Sequence, residues 1–122
     1  MINILAVGAG GFLGAVLRYG VSTVFVSRLG LHNAFATFSV NIIGCLIIGF
    51  LAGFEFKNIQ PMKYFLIAGL LGGFTTFSAF SLDALLLFKD GETLKALMYI
   101  AGTLGLCLLS VFAGFAAFKM IN

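Results

Sequence analysis

Charge is the scarcest property of this chain. Only 9% of its 122 residues are charged, whereas soluble domains carry about 25%. Hydrophobic residues make up 61% of the chain, and the mean hydropathy is +1.17. A protein this apolar would expose too much apolar surface to remain in water. The composition therefore excludes a soluble protein and predicts an integral membrane protein that forms one small domain over residues 1–122.

Residues for catalysis and for nucleic-acid binding are also scarce. The seven basic residues are scattered along the chain, and nucleic-acid binding requires a basic patch. The one histidine, His32, lies beside Asn33 in a predicted loop, so no Ser-His-Asp or Cys-His set can be assembled. These absences exclude a nucleic-acid-binding protein and predict that the chain is not an enzyme.

The two cysteines, Cys45 and Cys107, both lie in apolar stretches. Buried cysteines of this kind usually pack as small hydrophobic side chains, and we interpret both in that way rather than as a disulfide or a metal site. A secretory signal peptide has lysine or arginine before its apolar stretch. The N-terminus of this chain has neither before its first apolar stretch. We therefore expect the first apolar stretch to be retained as a membrane-spanning helix.

Four apolar stretches are each close to the roughly 20 residues that cross a hydrocarbon core about 30 Å thick. The predicted spans are 2–27, 34–54, 64–87 and 96–118. The predicted loops are Arg28–Asn33, Glu55–Lys63 with the only proline, Pro61, and Lys89–Lys95. The sequence therefore predicts an all-α membrane protein of four transmembrane helices with both termini on one side.

Basic residues are balanced across the membrane in this arrangement. One side would hold Lys57, Lys63 and Lys119, and the other Arg28, Lys89 and Lys95. Three against three leaves the positive-inside rule without a preference. We predict that the chain inserts in both orientations and pairs as an antiparallel homodimer. The alternative is that lipid or a partner fixes one orientation.

Polar residues interrupt the third span. Gly72 and Gly73 are weak helix formers, and the β-branched Thr75 and Thr76 follow them. A local break here would free backbone carbonyls to face a cavity, as in the broken helices of transporters. Polar backbone at membrane depth is tolerated only inside protein or along water. The segment therefore predicts a path for something small and polar.

Two stripes follow the predicted break. Phe77 and Phe80 are three apart and share a face, and Ser78 and Ser81 repeat that spacing beside them. Because aromatic rings have positive edges, ring edges and hydroxyl donors together could hold an anion. The alternative is ordinary packing, with each serine bonded to its own helix.

Other polar side chains line up on the second and fourth spans. Thr37 and Asn41 are four apart, and Asn41 could either join two helices or donate its amide to an anion. Tyr99, Thr103 and Cys107 follow at steps of four and form a polar track along one face. Tyr99 could instead be an interfacial anchor.

Two charged residues lie within or beside spans. Arg18 could line a vestibule and attract anions, or extend to the nearer interface. Asp83, in the third span, could pair or gate, or simply mark a helix end. Pairs of glycines with GxxxG spacing also predict close helix packing: Gly10 and Gly14, Gly49 and Gly53, and Gly69 and Gly73.

Three motifs together resemble those of the Fluc (CrcB) fluoride channels. Residues 10–19, GGFLGAVLRY, are similar to that family's GGxxGxxxR[YW] opening. Residues 37–41, TFSVN, are similar to its TxxxN signature, and residues 72–81, GGFTTFSAFS, to its hallmark GGxTTFSTFS. The motifs occur in order, and the resemblance covers all four spans.

The resemblance implies a passive, fluoride-selective channel that exports cytoplasmic fluoride and so gives resistance to it. It implies a dual-topology antiparallel homodimer with two pores, placed as a multi-pass protein in the bacterial inner (plasma) membrane among lipid. It further implies that the ring edges of Phe77 and Phe80 line the anion path, with Asn41, Ser78 and Ser81 as hydrogen-bond donors.

The same resemblance assigns the remaining site residues. Tyr99, Thr103 and Cys107 match the spacing of the family's polar track on the fourth helix. Arg18 and Thr37 would lie toward the aqueous vestibule. The backbone carbonyls of Gly72 and Thr75 would bind a structural Na⁺ at the dimer centre.

The chain departs from the family pattern at a few positions. Cys107 replaces the commoner hydroxyl, Asp83 a common glutamate, and Ala79 the usual threonine. An alternative function is a small proton-coupled multidrug exporter of four helices. That mechanism requires a carboxylate in an early span, and the first two spans have none. A second alternative is a membrane subunit that transports nothing.

Overall fold

The structure is a computed structural model that describes residues 1–122. It is entirely helical. Its helices in chain order are α1 (Ile2–Thr23), α2 (Asn33–Leu51), α3 (Gln60–Lys63), α4 (Gly72–Phe74), α5 (Phe77–Lys89) and α6 (Thr93–Ile121).

Two π-helical segments extend these helices. Val24–Arg28 continues α1, and Tyr64–Leu71 joins α3 to α4. The result is four spans that are long and apolar enough to cross a membrane: Ile2–Arg28, Asn33–Leu51, Gln60–Lys89 and Thr93–Ile121. The predicted all-α membrane protein with four spans is confirmed.

The ends of the spans differ from the prediction. The third span begins at Gln60 rather than at residue 64, with Pro61 in its first turn. A proline fits there because the first helical N–H groups have no partner within the helix. The prediction that Pro61 lies in a loop was therefore wrong. The second span ends at Leu51 rather than at residue 54.

The last loop is also shorter than predicted, because both of its lysines are helical. Lys89 ends α5, and Lys95 lies in the first turn of α6. The turn between them closes on Gly91, whose φ is +77°. Glu92 N–H donates to the Leu87 carbonyl at 2.9 Å, and Gly91 N–H donates to the Phe88 carbonyl at 3.1 Å. These two bonds form a Schellman motif, which requires a left-handed residue such as glycine.

The four spans pack in two pairs. The second span lies along the fourth, and the first lies along the Tyr64–Leu71 segment and α4. α5 leaves the first span and packs on α6 and α2 instead. The third span therefore connects the two pairs, and the residues between α4 and α5 lie where it changes neighbours.

Glycines set the spacing within each pair. A Cβ atom on Gly14 would meet the Leu70 carbonyl, and one on Gly73 would lie 2.5 Å from the Gly11 carbonyl. Gly49 likewise packs on the backbone of Val111. Such backbone approaches are what small-residue interfaces provide in lipid. The large apolar side chains point mostly outward, and only 18 of 122 residues are buried, so the surface suits a bilayer.

Candidate functional site

The candidate site is centred on two extended residues between α4 and α5. Thr75 has φ −85° and ψ 159°, and Thr76 has φ −157° and ψ 119°. Thr76 is the N-cap of α5, since its Oγ1 accepts from Ala79 N–H at 3.2 Å. This capping bond fixes where α5 begins and therefore where Phe77 and Phe80 lie.

Asn41 holds this extended step through both ends of its amide. Its Oδ1 accepts from Thr76 N–H at 2.8 Å, and its Nδ2 donates to the Thr76 carbonyl at 3.0 Å. Asn41 is 8% exposed. Since a primary amide has two N–H donors, one of them is left for another acceptor. Asn41 therefore joins two spans and still has a donor, so its two sequence interpretations are compatible.

Backbone carbonyls at the step lose their usual partners. Thr76 N–H would serve the Gly72 carbonyl in a continuous helix, but it donates to Asn41 instead. The Thr75 carbonyl accepts no backbone hydrogen bond. The Gly73 carbonyl accepts from Arg18 Nε at 3.0 Å. Free carbonyl oxygens at Gly72 and Thr75 are hard ligands, the type that alkali and alkaline-earth cations prefer.

The two phenylalanines form a pair with one buried member. The ring centroids of Phe77 and Phe80 are 5.2 Å apart with an interplanar angle of 50°. The Phe80 ring also packs on the Tyr99 ring, with the two ring centroids 5.4 Å apart. Phe80 is 5% exposed, whereas Phe77 is 71% exposed. The chain alone therefore covers one ring and leaves the other open.

The two serines bond locally. Ser81 Oγ donates to the Phe77 carbonyl at 3.0 Å, and Ser78 Oγ lies 3.2 Å from Thr76 Oγ1. Both residues are exposed. In the single chain Ser81 bonds to the backbone of its own helix, as the packing alternative describes, whereas Ser78 pairs with the capping hydroxyl of Thr76.

Thr103 has an unusual environment for a hydroxyl. It is 4% exposed, and its Oγ1 has no hydrogen-bond partner. It lies one turn from Tyr99 on α6, on the face that meets Phe80. Because unpaired buried polar groups are costly, this hydroxyl is suited to a ligand that completes its hydrogen bonding.

A cavity of about 240 Å³ opens between α1, α2 and the extended step. Arg18 and Thr37 both line it, together with Ser22, Asn33 and Thr76. Asn33 accepts a short hydrogen bond from Ser22 Oγ and donates to Thr37 Oγ1 at 3.5 Å. The cavity thus has a cationic guanidinium and several hydroxyl groups in its wall.

Asp83 is buried, at 3% exposure. Its two carboxylate oxygens accept from Asn33 Nδ2 and from the Tyr99 hydroxyl, each at 3.4 Å. The interpretation of Asp83 as a simple helix-end residue is therefore wrong: it connects α5 to both α2 and α6. The Tyr99 hydroxyl is likewise directed at this carboxylate inside the protein.

Sequence reasoning missed Thr76 and Asn33 as parts of the site. A hydroxyl residue directly before an apolar helical stretch is the usual N-cap signal, and it could have identified Thr76. Asn33 precedes the second predicted span and lies in a predicted loop. No periodic pattern shows that its amide reaches Asp83, which is 50 residues away in the chain.

The sequence of the chain was compared with those of known proteins and protein families. Residues 5–115 match the family described as "CrcB-like protein, Camphor Resistance (CrcB)". A Rhizobium meliloti protein named "Fluoride-specific ion channel FluC" is 48% identical, with 98% of each chain covered. "Fluoride-specific ion channel FluC 2" of Nitrobacter hamburgensis is 42% identical over 99% of this chain and 100% of its own length. The chain belongs to the CrcB family.

Proposed function

We propose that the chain is a passive fluoride-selective channel. The observation that carries the proposal is a set of hydrogen-bond donors that have no acceptor within the chain and lie beside a pair of aromatic rings. The Thr103 hydroxyl has no partner, Asn41 keeps one N–H, and Phe80 packs against Tyr99 on the same face. The relatives that bear the fluoride-channel name match this chain over nearly its whole length.

The physical task of such a site is to replace water around a small anion. Fluoride is strongly hydrated, so the path must offer hydroxyl and amide donors and positive ring edges in its place. Buried donors without partners gain most from such an ion, since they have already lost their water. Chloride is larger and gains less per contact in a narrow path. A channel binds its ion without covalent chemistry, so this function is not enzymatic.

We further propose that the path is completed by a second copy in the opposite orientation. The Phe77 ring, which would line the path, is exposed in the single chain, and the Thr75 carbonyl lacks a backbone partner. Lipid tails cannot hydrogen-bond a carbonyl oxygen, and a ring open to lipid cannot form one wall of a path for an anion. An antiparallel homodimer with two pores would cover them, and the balanced basic residues permit both orientations.

The orientation can be measured directly. A reporter enzyme that works only in the cytoplasm and one that works only outside it are each fused to the C-terminus. The proposal predicts activity from both fusions, because the population has both orientations. Activity from one fusion alone would contradict dual topology.

Within that dimer we propose a structural Na⁺ bound by the carbonyls of Gly72 and Thr75. The residues fit such an ion, because the extended step leaves their oxygens without their ordinary helical donors. Unwound backbone carbonyls coordinate Na⁺ in transporters. Such an ion would take up carbonyl oxygens that have no N–H partner, and the chain's own part is to hold the step extended through Asn41.

The cellular role would be export of fluoride across a bacterial inner membrane. Hydrogen fluoride is a weak acid that enters cells and dissociates at the higher internal pH. A passive channel would let the trapped anion leave down the membrane potential. A proton-coupled exporter would require a carboxylate in an early span, whereas the single buried acid, Asp83, lies in the third span.

Liposome flux tests the proposal. Purified protein is reconstituted with internal potassium fluoride and potassium chloride, valinomycin is added, and ion electrodes follow both anions. The expected result is fluoride efflux without chloride efflux, beyond that of protein-free liposomes. Equal rates for both anions would contradict selectivity, and no efflux would contradict channel function.

The proton-coupled exporter makes a different prediction in the same liposomes. Asp83 is the residue such a mechanism would use. If the chain were such an exporter, a pH gradient imposed at zero membrane potential would drive transport of a cationic drug, and Asp83→Asn would abolish that transport. The channel proposal expects that fluoride moves with the membrane potential at equal pH on both sides.

A further inference from the structure

The two cysteines face each other across the packed second and fourth spans. α2 and α6 run in the same direction, because Gly49 packs on Val111 and, one turn later, Gly53 packs on the Phe118 ring. Residues four apart share a helix face. One turn before Gly49 is Cys45, and one turn before Val111 is Cys107. The close contact of the helices therefore places the two thiols opposite one another.

The two thiols are free at this contact, since neither cysteine is in a disulfide and both are half-buried. Their separation in sequence hides the pairing, which depends on the register of the two spans.

The number of ligands limits which metal the pair could bind. No group of three or more His, Cys, Asp or Glu side chains is present, whereas structural zinc sites use four. Two thiolates suit soft cations that accept two sulfur ligands. With a divalent cation the complex is neutral, which matters because an unpaired charge is costly in an apolar interior.

We propose that Cys45 and Cys107 together bind one thiophilic divalent cation, for which Hg²⁺ is the probe. Binding breaks the two S–H bonds, forms two S–Hg bonds and releases two protons to water. No electrons are transferred, so the step needs no oxidant. The two sulfurs chelate one ion because the helices already hold them together.

The site has access to the proposed anion path. Cys45 lines a cavity of about 310 Å³ together with Asn41, Thr75 and Phe77. Cys107 lies one turn from Thr103 on α6. A metal between the sulfurs would lie beside these groups and obstruct the path. This blocking effect rests on the proposed channel function, whereas metal binding does not.

Metal stoichiometry tests the site without any flux measurement. Wild type, Cys45→Ala and Cys107→Ser are exposed to Hg²⁺, washed with an excess of a monothiol, and weighed intact by mass spectrometry. Wild type is expected to retain one Hg²⁺ per chain, because chelation resists exchange with a single thiol. Each single variant is expected to lose it. Retention of two ions by wild type, or equal retention by the single variants, would overturn the proposal.

Fluoride flux tests the blocking effect in chloride-free liposomes. Each variant is compared with its own untreated flux. Hg²⁺ is expected to reduce wild-type flux at least tenfold and to leave both single variants within twofold of their untreated rates. Binding of one ion to wild type with undiminished flux would overturn the placement beside the path. If untreated wild type carries no fluoride, the channel proposal fails, and the mass measurement still decides the metal site.

Discussion

The side-chain amide of Asn41 forms two hydrogen bonds with the backbone of Thr76. Asn41 Oδ1 accepts from Thr76 N–H at 2.8 Å, and Asn41 Nδ2 donates to the Thr76 carbonyl at 3.0 Å. The amide thereby replaces two helical hydrogen bonds at the step between α4 and α5. It also fixes the start of the helix that carries Phe77 and Phe80.

Asn41→Ala should therefore destabilise the fold as well as reduce flux. It leaves the part-buried N–H and carbonyl of Thr76 without their amide partner, at a cost of about 1–3 kcal/mol. Thermal unfolding in detergent measures the loss. Ser39→Ala is the matched control, because Ser39 Oγ bonds only to the Phe35 carbonyl of its own helix. Equal unfolding temperatures for the two variants would show that the hydrogen bonds from Asn41 to Thr76 do not contribute to stability.

Thr103→Val separates a structural hydroxyl from an anion ligand. The Thr103 hydroxyl has no partner, so an apolar side chain of the same shape should leave stability unchanged or raise it. Fluoride flux should nevertheless fall. Thr23→Val, which removes a hydroxyl bonded to the Tyr19 carbonyl on an exposed face, should keep full flux. A Thr103→Val protein with full flux would remove Thr103 from the path.

Phe80→Met tests the role of ring edges. Methionine fills similar space without an aromatic edge, so fluoride flux should drop roughly tenfold, which corresponds to about 1.4 kcal/mol in the barrier. The dimer content, measured by size-exclusion chromatography, should stay the same. Phe12→Met is the control on an exposed face of α1. Full flux through Phe80→Met would argue against ring-edge coordination.

Gly14→Ala should disrupt the pairing of the first and third spans. Its new Cβ atom would strike the Leu70 carbonyl and lie 2.7 Å from Phe74 N. Backbone must move to relieve such overlap, and overpacking costs about 1–3 kcal/mol. Gly20→Ala on the same helix has no atom within 4 Å of its Cβ and should be tolerated. Thermal unfolding compares the two, and similar stability would mean that the spans are less closely packed.

The four spans could be predicted because hydropathy and length alone determine whether a helix can cross a bilayer. Their ends could not, since Pro61 and the lysines at Lys89 and Lys95 fit equally well in a helix end or a loop. The composition of residues 72–81 drew attention to the segment where α4 and α5 meet.

The spacing of residues along the sequence could not predict which side chains of the site bond to one another across different spans. Spacing placed Thr37 and Asn41 on one face, but only the packing of α2 on the third span shows that Asn41 reaches Thr76. The same holds for Asp83, whose partners Asn33 and Tyr99 come from two other helices. Contacts between spans depend on register, which a single sequence does not encode visibly.

The reversal potential of a planar bilayer tests the central claim most directly. Purified protein is recorded with fluoride on both sides at unequal concentration, chloride arranged in the opposite gradient, and equal pH. A passive fluoride-selective channel predicts a current that reverses at the fluoride equilibrium potential. Reversal at the chloride potential or midway between the two, or a current that follows an imposed pH difference, would contradict it.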